Sequence, residues 1–75
     1  MASPLFLLPL LRRYIVQTMS YTNSRWQEYT SFATLNLAEQ TAQGLAAKDP
    51  EIQKVRILSR ITGQLVRVYE AKKLS

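Results

Sequence analysis

Cysteine and histidine are both absent from this 75-residue sequence. Their absence excludes a disulfide framework, a zinc site of the usual Cys/His kind, a thiolate nucleophile and the commonest general base. A domain this small buries only about 60% of its extended-chain surface, and it usually gains stability from disulfides, a metal or a partner. With disulfides and zinc excluded, a protein partner or a second copy of the chain remains.

Phosphate-binding and catalytic signatures are also missing. The two glycines, Gly44 and Gly63, are too far apart in the sequence to form a glycine-rich phosphate loop. If Glu28 and Glu39 shared one helix face they would lie ~16 Å apart, too far for a catalytic carboxylate pair. We therefore expect a protein that is not an enzyme, with no catalytic residues, no metal and no cofactor.

Acidic residues are missing from residues 1–27, which carry three arginines and a net charge of +3. Residues 28–51 carry four carboxylates against one lysine, and residues 52–75 carry six basic residues against one carboxylate. The chain is therefore basic at both ends, with a net charge of +5. This pattern suits an anionic partner such as nucleic acid, lipid head groups or an acidic protein face, although it can also serve solubility alone.

A hydrophobic run long enough to span a bilayer is missing as well. Residues 4–11 (PLFLLPLL) form an apolar run of eight, whereas a transmembrane helix needs about 20 residues. Arg12 and Arg13 follow this run, whereas a secretory signal peptide carries its positive charge first. We therefore expect an intracellular protein, in the cytoplasm or inside an organelle, that is membrane-peripheral and not secreted.

Residues 1–23 are predicted to form an N-terminal docking arm rather than a cleaved targeting sequence. The arm is expected to contain a short amphipathic helix over residues 10–19, followed by a turn at residues 20–23. Its leucines could enter the head-group region of a membrane beside the two arginines. The residues predicted to contact a membrane surface are Leu5, Phe6, Leu7, Leu8, Leu10, Leu11, Arg12 and Arg13.

Two capping patterns predict an all-α fold. Asp49-Pro50-Glu51 has an N-capping residue, proline at the first helical position and an acidic first turn, which predicts a helix over residues 50–72. Ser24 begins an S-x-x-Q capping box before a run rich in Ala, Leu, Gln and Glu, which predicts a helix over residues 25–48. Because almost no chain separates the two helices, residues 24–75 are expected to form an antiparallel helical hairpin.

The predicted second helix presents two distinct faces. Its apolar residues fill an arc of about 180°, wider than one neighbouring helix covers, which indicates a protein that functions in a complex. On the opposite face, Arg56, Arg60, Gly63 and Arg67 follow helical spacing and form a stripe. Such a stripe could contact phosphates or carboxylates, with glycine permitting close approach, or it could simply face solvent.

Aromatic residues are concentrated in the first 32 residues, with only Tyr69 outside them. Either they are core residues of a small bundle, or they are interface anchors. Ala38, Ala42, Leu45 and Ala46 form a small-residue stretch that favours close helix–helix packing of the first predicted helix. The full set of predicted partner-binding residues is Trp26, Tyr29, Phe32, Arg56, Arg60, Gly63, Arg67 and Tyr69.

These features predict a non-enzymatic accessory, adaptor or assembly subunit that docks onto a larger protein complex, at a membrane surface in one version of the hypothesis. The first alternative is an RNA-binding or ribonucleoprotein component that uses the arginine stripe. The second is a homo-oligomer, a four-helix bundle made of two hairpins. Sequence-specific DNA binding is disfavoured, because the Asp49-Pro50 junction favours a full reversal and the arginines lie along the middle of the predicted helix.

Overall fold

The computed structural model describes residues 12–71, which form a four-stranded antiparallel sheet and one helix. The strands lie in the order β2-β1-β3-β4, so the helix carries the chain from an edge strand to a central one. Within residues 12–71 no helix has the length and apolar character needed to cross a bilayer. In chain order the elements are β1 (Tyr14–Ser20), β2 (Gln27–Phe32), α1 (Leu35–Lys48), β3 (Ile52–Ser59) and β4 (Leu65–Glu70).

The predicted all-α fold and its helical hairpin are wrong. Residues 25–72 contain three strands, and residues 35–48 alone are helical among the described residues of that range. In β3, the fully buried Val55 and Ile57 flank the partly buried Arg56, which is the two-residue period of a strand. When a sequence with this two-residue period is plotted on a helical wheel, its apolar residues are spread around the axis. This explains the broad apolar arc of the predicted second helix.

The Asp49-Pro50 junction ends α1 instead of beginning a second helix. Asp49 is the C-cap of α1, with extended backbone angles, and its N–H donates to the carbonyl of Leu45 at 3.1 Å. Its side-chain oxygen accepts from the N–H of Glu51 at 3.0 Å, the bond also expected of an N-cap. Because proline disfavours helical angles in the residue before it, this bond closes a turn into β3.

The described segments before α1 are also strands where helix was predicted. β1 (YIVQTMS) and β2 (QEYTSF) are rich in β-branched and aromatic residues, which pack well on a pleated sheet. The N-cap of α1 is Thr34, ten residues after the predicted Ser24, and its hydroxyl accepts from the N–H of Leu37 at 3.5 Å. Within the predicted turn at residues 20–23, Ser20 instead ends β1 and residues 21 and 22 form a bend, in which the Ser20 hydroxyl accepts from the N–H of Asn23 at 3.0 Å.

The core lies between α1 and one face of the sheet. Three alanines spaced four residues apart along α1 are buried, and their small side chains let the helix approach the strands closely. The predicted helix–helix packing of this small-residue stretch is therefore wrong, because the surface against which α1 packs is the sheet. The buried residues are Val16, Ala38, Ala42, Ala46, Ile52, Val55 and Ile57.

Candidate functional site

The sheet has one face packed against α1 and a second face that no other element of residues 12–71 covers. Val16, Val55 and Ile57 are fully buried beneath α1, so the strand residues that alternate with them point the other way, and cross-strand partners share a face. We call this second surface the open face. Its strand residues are Ile15, Gln17, Met19, Glu28, Ser31, Lys54, Arg56, Leu58, Leu65, Val68 and Glu70.

Arg56 occupies the middle of the open face and is held by two side chains. It lies opposite Gln17 in the β1–β3 register, and its Nε donates to the Gln17 side-chain oxygen at 2.7 Å. Its guanidinium carbon lies 4.2 Å from the centre of the Trp26 ring, a cation–π contact that places Trp26 on the same face. A hydrogen bond on one edge and a ring on one face together fix the orientation of the guanidinium.

Apolar side chains surround this cluster and remain accessible to water. On strand β4, the side chain of Leu65 is 56% exposed and that of Val68 is 47% exposed. Ile15, Met19 and Leu58 add partly buried apolar surface on the two central strands. Apolar side chains grouped on an uncovered sheet face mark a contact surface more often than a surface adapted to water.

The charges of the open face are unevenly paired. Lys54 lies opposite Glu70 in the β3–β4 register, which places opposite charges side by side. Glu28 lies opposite Gln17, at the side of β1 away from β3. Among residues 12–71 the recorded ion pair is Arg67–Glu39, so Arg56 has no carboxylate partner in that range. The open face therefore presents an oriented cation at its centre.

The predicted arginine stripe does not exist as one surface. Arg56 lies on the open face, whereas Arg67 lies opposite the buried Ile57 and contacts Glu39 of α1 at 3.8 Å. Arg60 and Gly63 lie in the β3–β4 loop, where Gly63 has a φ of 71°. The four residues had matching helical spacing only because a strand, a loop and another strand were treated as one helix.

The predicted aromatic anchors also separate into different environments. Trp26 lies on the open face, and Tyr29 is 57% exposed on edge strand β2. Phe32 and Tyr69 are partly buried against the core on the α1 side, and the Tyr69 hydroxyl donates to a Glu39 carboxylate oxygen at 3.4 Å. Phe32 and Tyr69 therefore contribute to core packing, and their role in partner binding stays a prediction.

The predicted membrane-contacting residues divide at the edge of the described range. Arg12 and Arg13 are exposed immediately before β1. The apolar members of that prediction lie outside the described residues, namely Leu5, Phe6, Leu7, Leu8, Leu10 and Leu11.

Gln17 is the member of the open-face cluster that sequence reasoning missed. The signal that could have revealed it was the alternation of β1, in which Gln17 follows the buried Val16 and shares a face with Ile15 and Met19. Even with β1 assigned, its bond to Arg56 depends on the register of two strands 39 residues apart. Local patterns do not set such a register.

No group of three or more metal-ligating side chains among residues 12–71 is placed to hold a metal ion. A shallow groove of about 490 Å³ separates the C-terminal half of α1 from β4, and its lining includes one carboxylate, that of Glu70. Comparison of the chain with protein-family models, curated proteins and solved structures finds no match.

Proposed function

We propose that this protein is a non-enzymatic accessory module that docks onto a larger protein through the open face. The partner segment that fits this face carries a carboxylate for Arg56, flanked by apolar side chains for Leu65, Val68 and their neighbours. The observation that supports the proposal is a sheet packed on one side only, with an oriented and unpaired arginine at the centre of the other side.

Arg56 is prepared for a carboxylate. A guanidinium binds carboxylates through parallel N–H donors, and such charge-assisted bonds are roughly twice as strong as neutral ones. An arginine side chain normally loses about 2 kcal/mol of rotamer entropy when it is fixed, and Gln17 and Trp26 already restrict Arg56 in the unbound protein. Binding therefore needs less additional ordering of the side chain.

Covering the open face would also strengthen the cluster itself. A cation–π contact contributes about 0.5–1 kcal/mol in water and about 2 kcal/mol when it is shielded from water. The apolar residues of the face would gain roughly 25 cal/mol for each Å² that a partner removes from water. One partner segment can therefore contact both the polar centre of the open face and the apolar residues around it, an arrangement common in protein interfaces.

RNA fits the open face less well than protein does. Single-stranded RNA is bound by aromatic side chains that stack on bases, and Trp26 lies at the centre of this face. Its ring already contacts Arg56. Glu28 and Glu70 lie on the same face and would repel phosphates. These features favour a protein partner over the RNA alternative.

Site-specific photo-crosslinking in the native cell tests the proposal. A photoreactive phenylalanine analogue at Leu65 would lie on the open face, whereas the same analogue at the exposed Gln40 would lie on α1. We expect a discrete, ribonuclease-resistant protein adduct from position 65 and not from position 40. The adduct should disappear when Arg56→Gln is added, and the crosslinked partner peptide should contain Asp or Glu next to apolar residues.

Three outcomes would overturn the proposal. Equal adducts from both positions would mean that the open face is not a specific contact surface. An adduct of twice the mass of the chain would assign the face to a second copy and support the homo-oligomer. A ribonuclease-sensitive adduct would assign it to RNA.

A further inference from the structure

We infer that a second surface, at the end of the domain where β1 begins, contacts an anionic membrane. Arg60 in the β3–β4 loop folds back onto the chain that enters β1. Its backbone N–H donates to the carbonyl of Arg13 at 2.7 Å, and its Nε donates to the carbonyl of Arg12 at 3.1 Å. The fold thus brings together three arginines that are up to 48 residues apart in sequence. We call the surface formed by Arg12, Arg13 and Arg60 the arginine end.

The arginine end carries three positive charges. No carboxylate among residues 12–71 forms an ion pair with any of the three arginines. Helix α1 begins at this end, because Phe32 at the end of β2 lies opposite Tyr14 at the start of β1. Its first turn contains no acidic residue, so the positive end of the helix dipole adds to the arginine charges.

Three of the five carboxylates of the described chain lie at the other end of the domain, whereas Glu39, in the second turn of α1, is paired with Arg67. Asp49 and Glu51 follow the far end of α1, and Glu70 ends β4 opposite Lys54 at that same far end. The domain is therefore polarised, with unpaired basic charge at one end and mixed charge at the other. A charged body of this kind orients itself on an anionic surface, with its basic end inward.

The sequence that leads into the arginine end identifies a membrane as the anion. Residues 4–11 (PLFLLPLL) directly precede Arg12 and Arg13. A free phosphate or RNA would use the arginines and have no use for the leucines, whereas a bilayer interface binds both kinds of residue. Two weak signals, basic charge and apolar insertion, together give stable attachment where either alone does not. This surface is separate from the open face, so either inference can fail without the other.

Vesicle co-sedimentation of the full chain tests this inference. The probes are phosphatidylcholine vesicles with and without about 30% phosphatidylserine, a composition that supplies negative surface potential. Arg60→Gln removes one charge from the arginine end, and Lys48→Gln removes one charge from the exposed end of α1 as a matched control. Arg60→Lys keeps the charge and tests whether charge itself matters. Circular dichroism of each variant verifies folding.

We expect binding to anionic vesicles that is much weaker on pure phosphatidylcholine. Arg60→Gln should weaken it roughly fivefold, the contribution of one basic residue near such a surface. Lys48→Gln should change it less than about twofold, and Arg60→Lys should restore it. Replacing Leu7 and Leu8 by Gln should weaken binding more than about tenfold, because apolar insertion is lost.

Two results would overturn the inference. Equal losses of vesicle binding with Arg60→Gln and Lys48→Gln would mean that binding depends on the total charge of the protein and not on the arginine end. The other result has two parts: vesicle binding is unchanged in the variant with Leu7 and Leu8 replaced, and inorganic phosphate or single-stranded RNA displaces the vesicles. It would mean that the arginine end binds a free anion and is not a membrane contact.

Discussion

The two glycines should respond to alanine with opposite signs, because one lies in a helix and the other in a left-handed turn. Gly44 lies within α1, and an added Cβ would meet nothing within 4 Å. Gly63 has equally open surroundings but a φ of 71°, and its N–H donates to the carbonyl of Ser59 at 2.7 Å to close the β3–β4 loop. Since neither site has a steric clash, the effect of each substitution comes from the backbone alone.

Gly44→Ala should raise the free energy of unfolding by about 0.5–1 kcal/mol, the usual gain from replacing glycine inside a helix. At Gly63, the left-handed conformation costs an alanine roughly 1–2 kcal/mol, partly offset by about 0.4–1 kcal/mol from a less flexible unfolded chain. Gly63→Ala should therefore lower stability by about 1 kcal/mol. Gly63→Asn should lose less, because asparagine tolerates this conformation.

Thermal unfolding followed by circular dichroism measures these differences. For a domain of this size, 1 kcal/mol corresponds to a shift of about 4–8 °C in Tm. We expect Tm to rise for Gly44→Ala, to fall for Gly63→Ala and to lie between wild type and Gly63→Ala for Gly63→Asn. A continuous helix over residues 50–72 would make Gly63→Ala stabilising, so a rise in Tm for that variant would refute the turn.

The packing of the core and the exposure of the open face give three further predictions. Ile57→Ala should cost about 2–5 kcal/mol in urea unfolding because Ile57 is fully buried, whereas Ile61→Ala, at a residue 63% exposed, should cost less than about 0.5 kcal/mol. Ala42→Leu should lower the free energy of unfolding by at least about 1–3 kcal/mol by overpacking α1 against the sheet, whereas Ala47→Leu on the exposed side of α1 should be nearly neutral. Similar losses of stability in the two variants would argue against a tight contact between α1 and the sheet. The isolated chain should be marginally stable or self-associated, and a monomer with a cooperative Tm above about 65 °C would contradict this prediction.

The sequence predicted α1 because the information for a helix is local. Residues 35–48 combine good helix formers with alanines four residues apart, and both features depend on neighbours in the chain. The strands were missed because their stability depends on partners far away. The bond between Gln17 and Arg56 joins residues 39 positions apart, and no pattern within either strand fixes that register.

Two local signals were ambiguous in a way that only tertiary structure resolved. Asp49-Pro50 has the chemistry of a helix start, yet an aspartate that accepts from the N–H two residues later also closes a turn after a helix. The predicted second helix also includes Gly63, although a glycine between two runs rich in Val, Ile and Leu is the mark of a hairpin loop. Together, these two misreadings extended the helical prediction over β3 and β4.

The candidate site was only partly predictable. Trp26 and Arg56 were selected as separate contact residues, and their contact with each other depends on the sheet. Phe32 and Tyr69 were selected because aromatic residues anchor interfaces, but α1 gave them a core to pack against. The open face itself could not be predicted without strands, because its residues share a surface through the two-residue alternation of the strands and the register shift that places Leu65 opposite Leu58.

The central claim is that the open face, and not the general basic charge of the protein, binds the partner. Arg56→Gln and Arg67→Gln test it directly, because they remove the same charge from the two opposite faces of the sheet, Arg56 from the open face and Arg67 from the α1 side. The measurement is recovery of the partner identified by crosslinking at Leu65, from cells that express each variant at equal levels. We expect Arg56→Gln to reduce recovery more than about tenfold, since losing one partner of a buried charge pair costs about 2–5 kcal/mol. Arg67→Gln should retain at least about half of the recovery, whereas equal losses from the two variants would contradict the account.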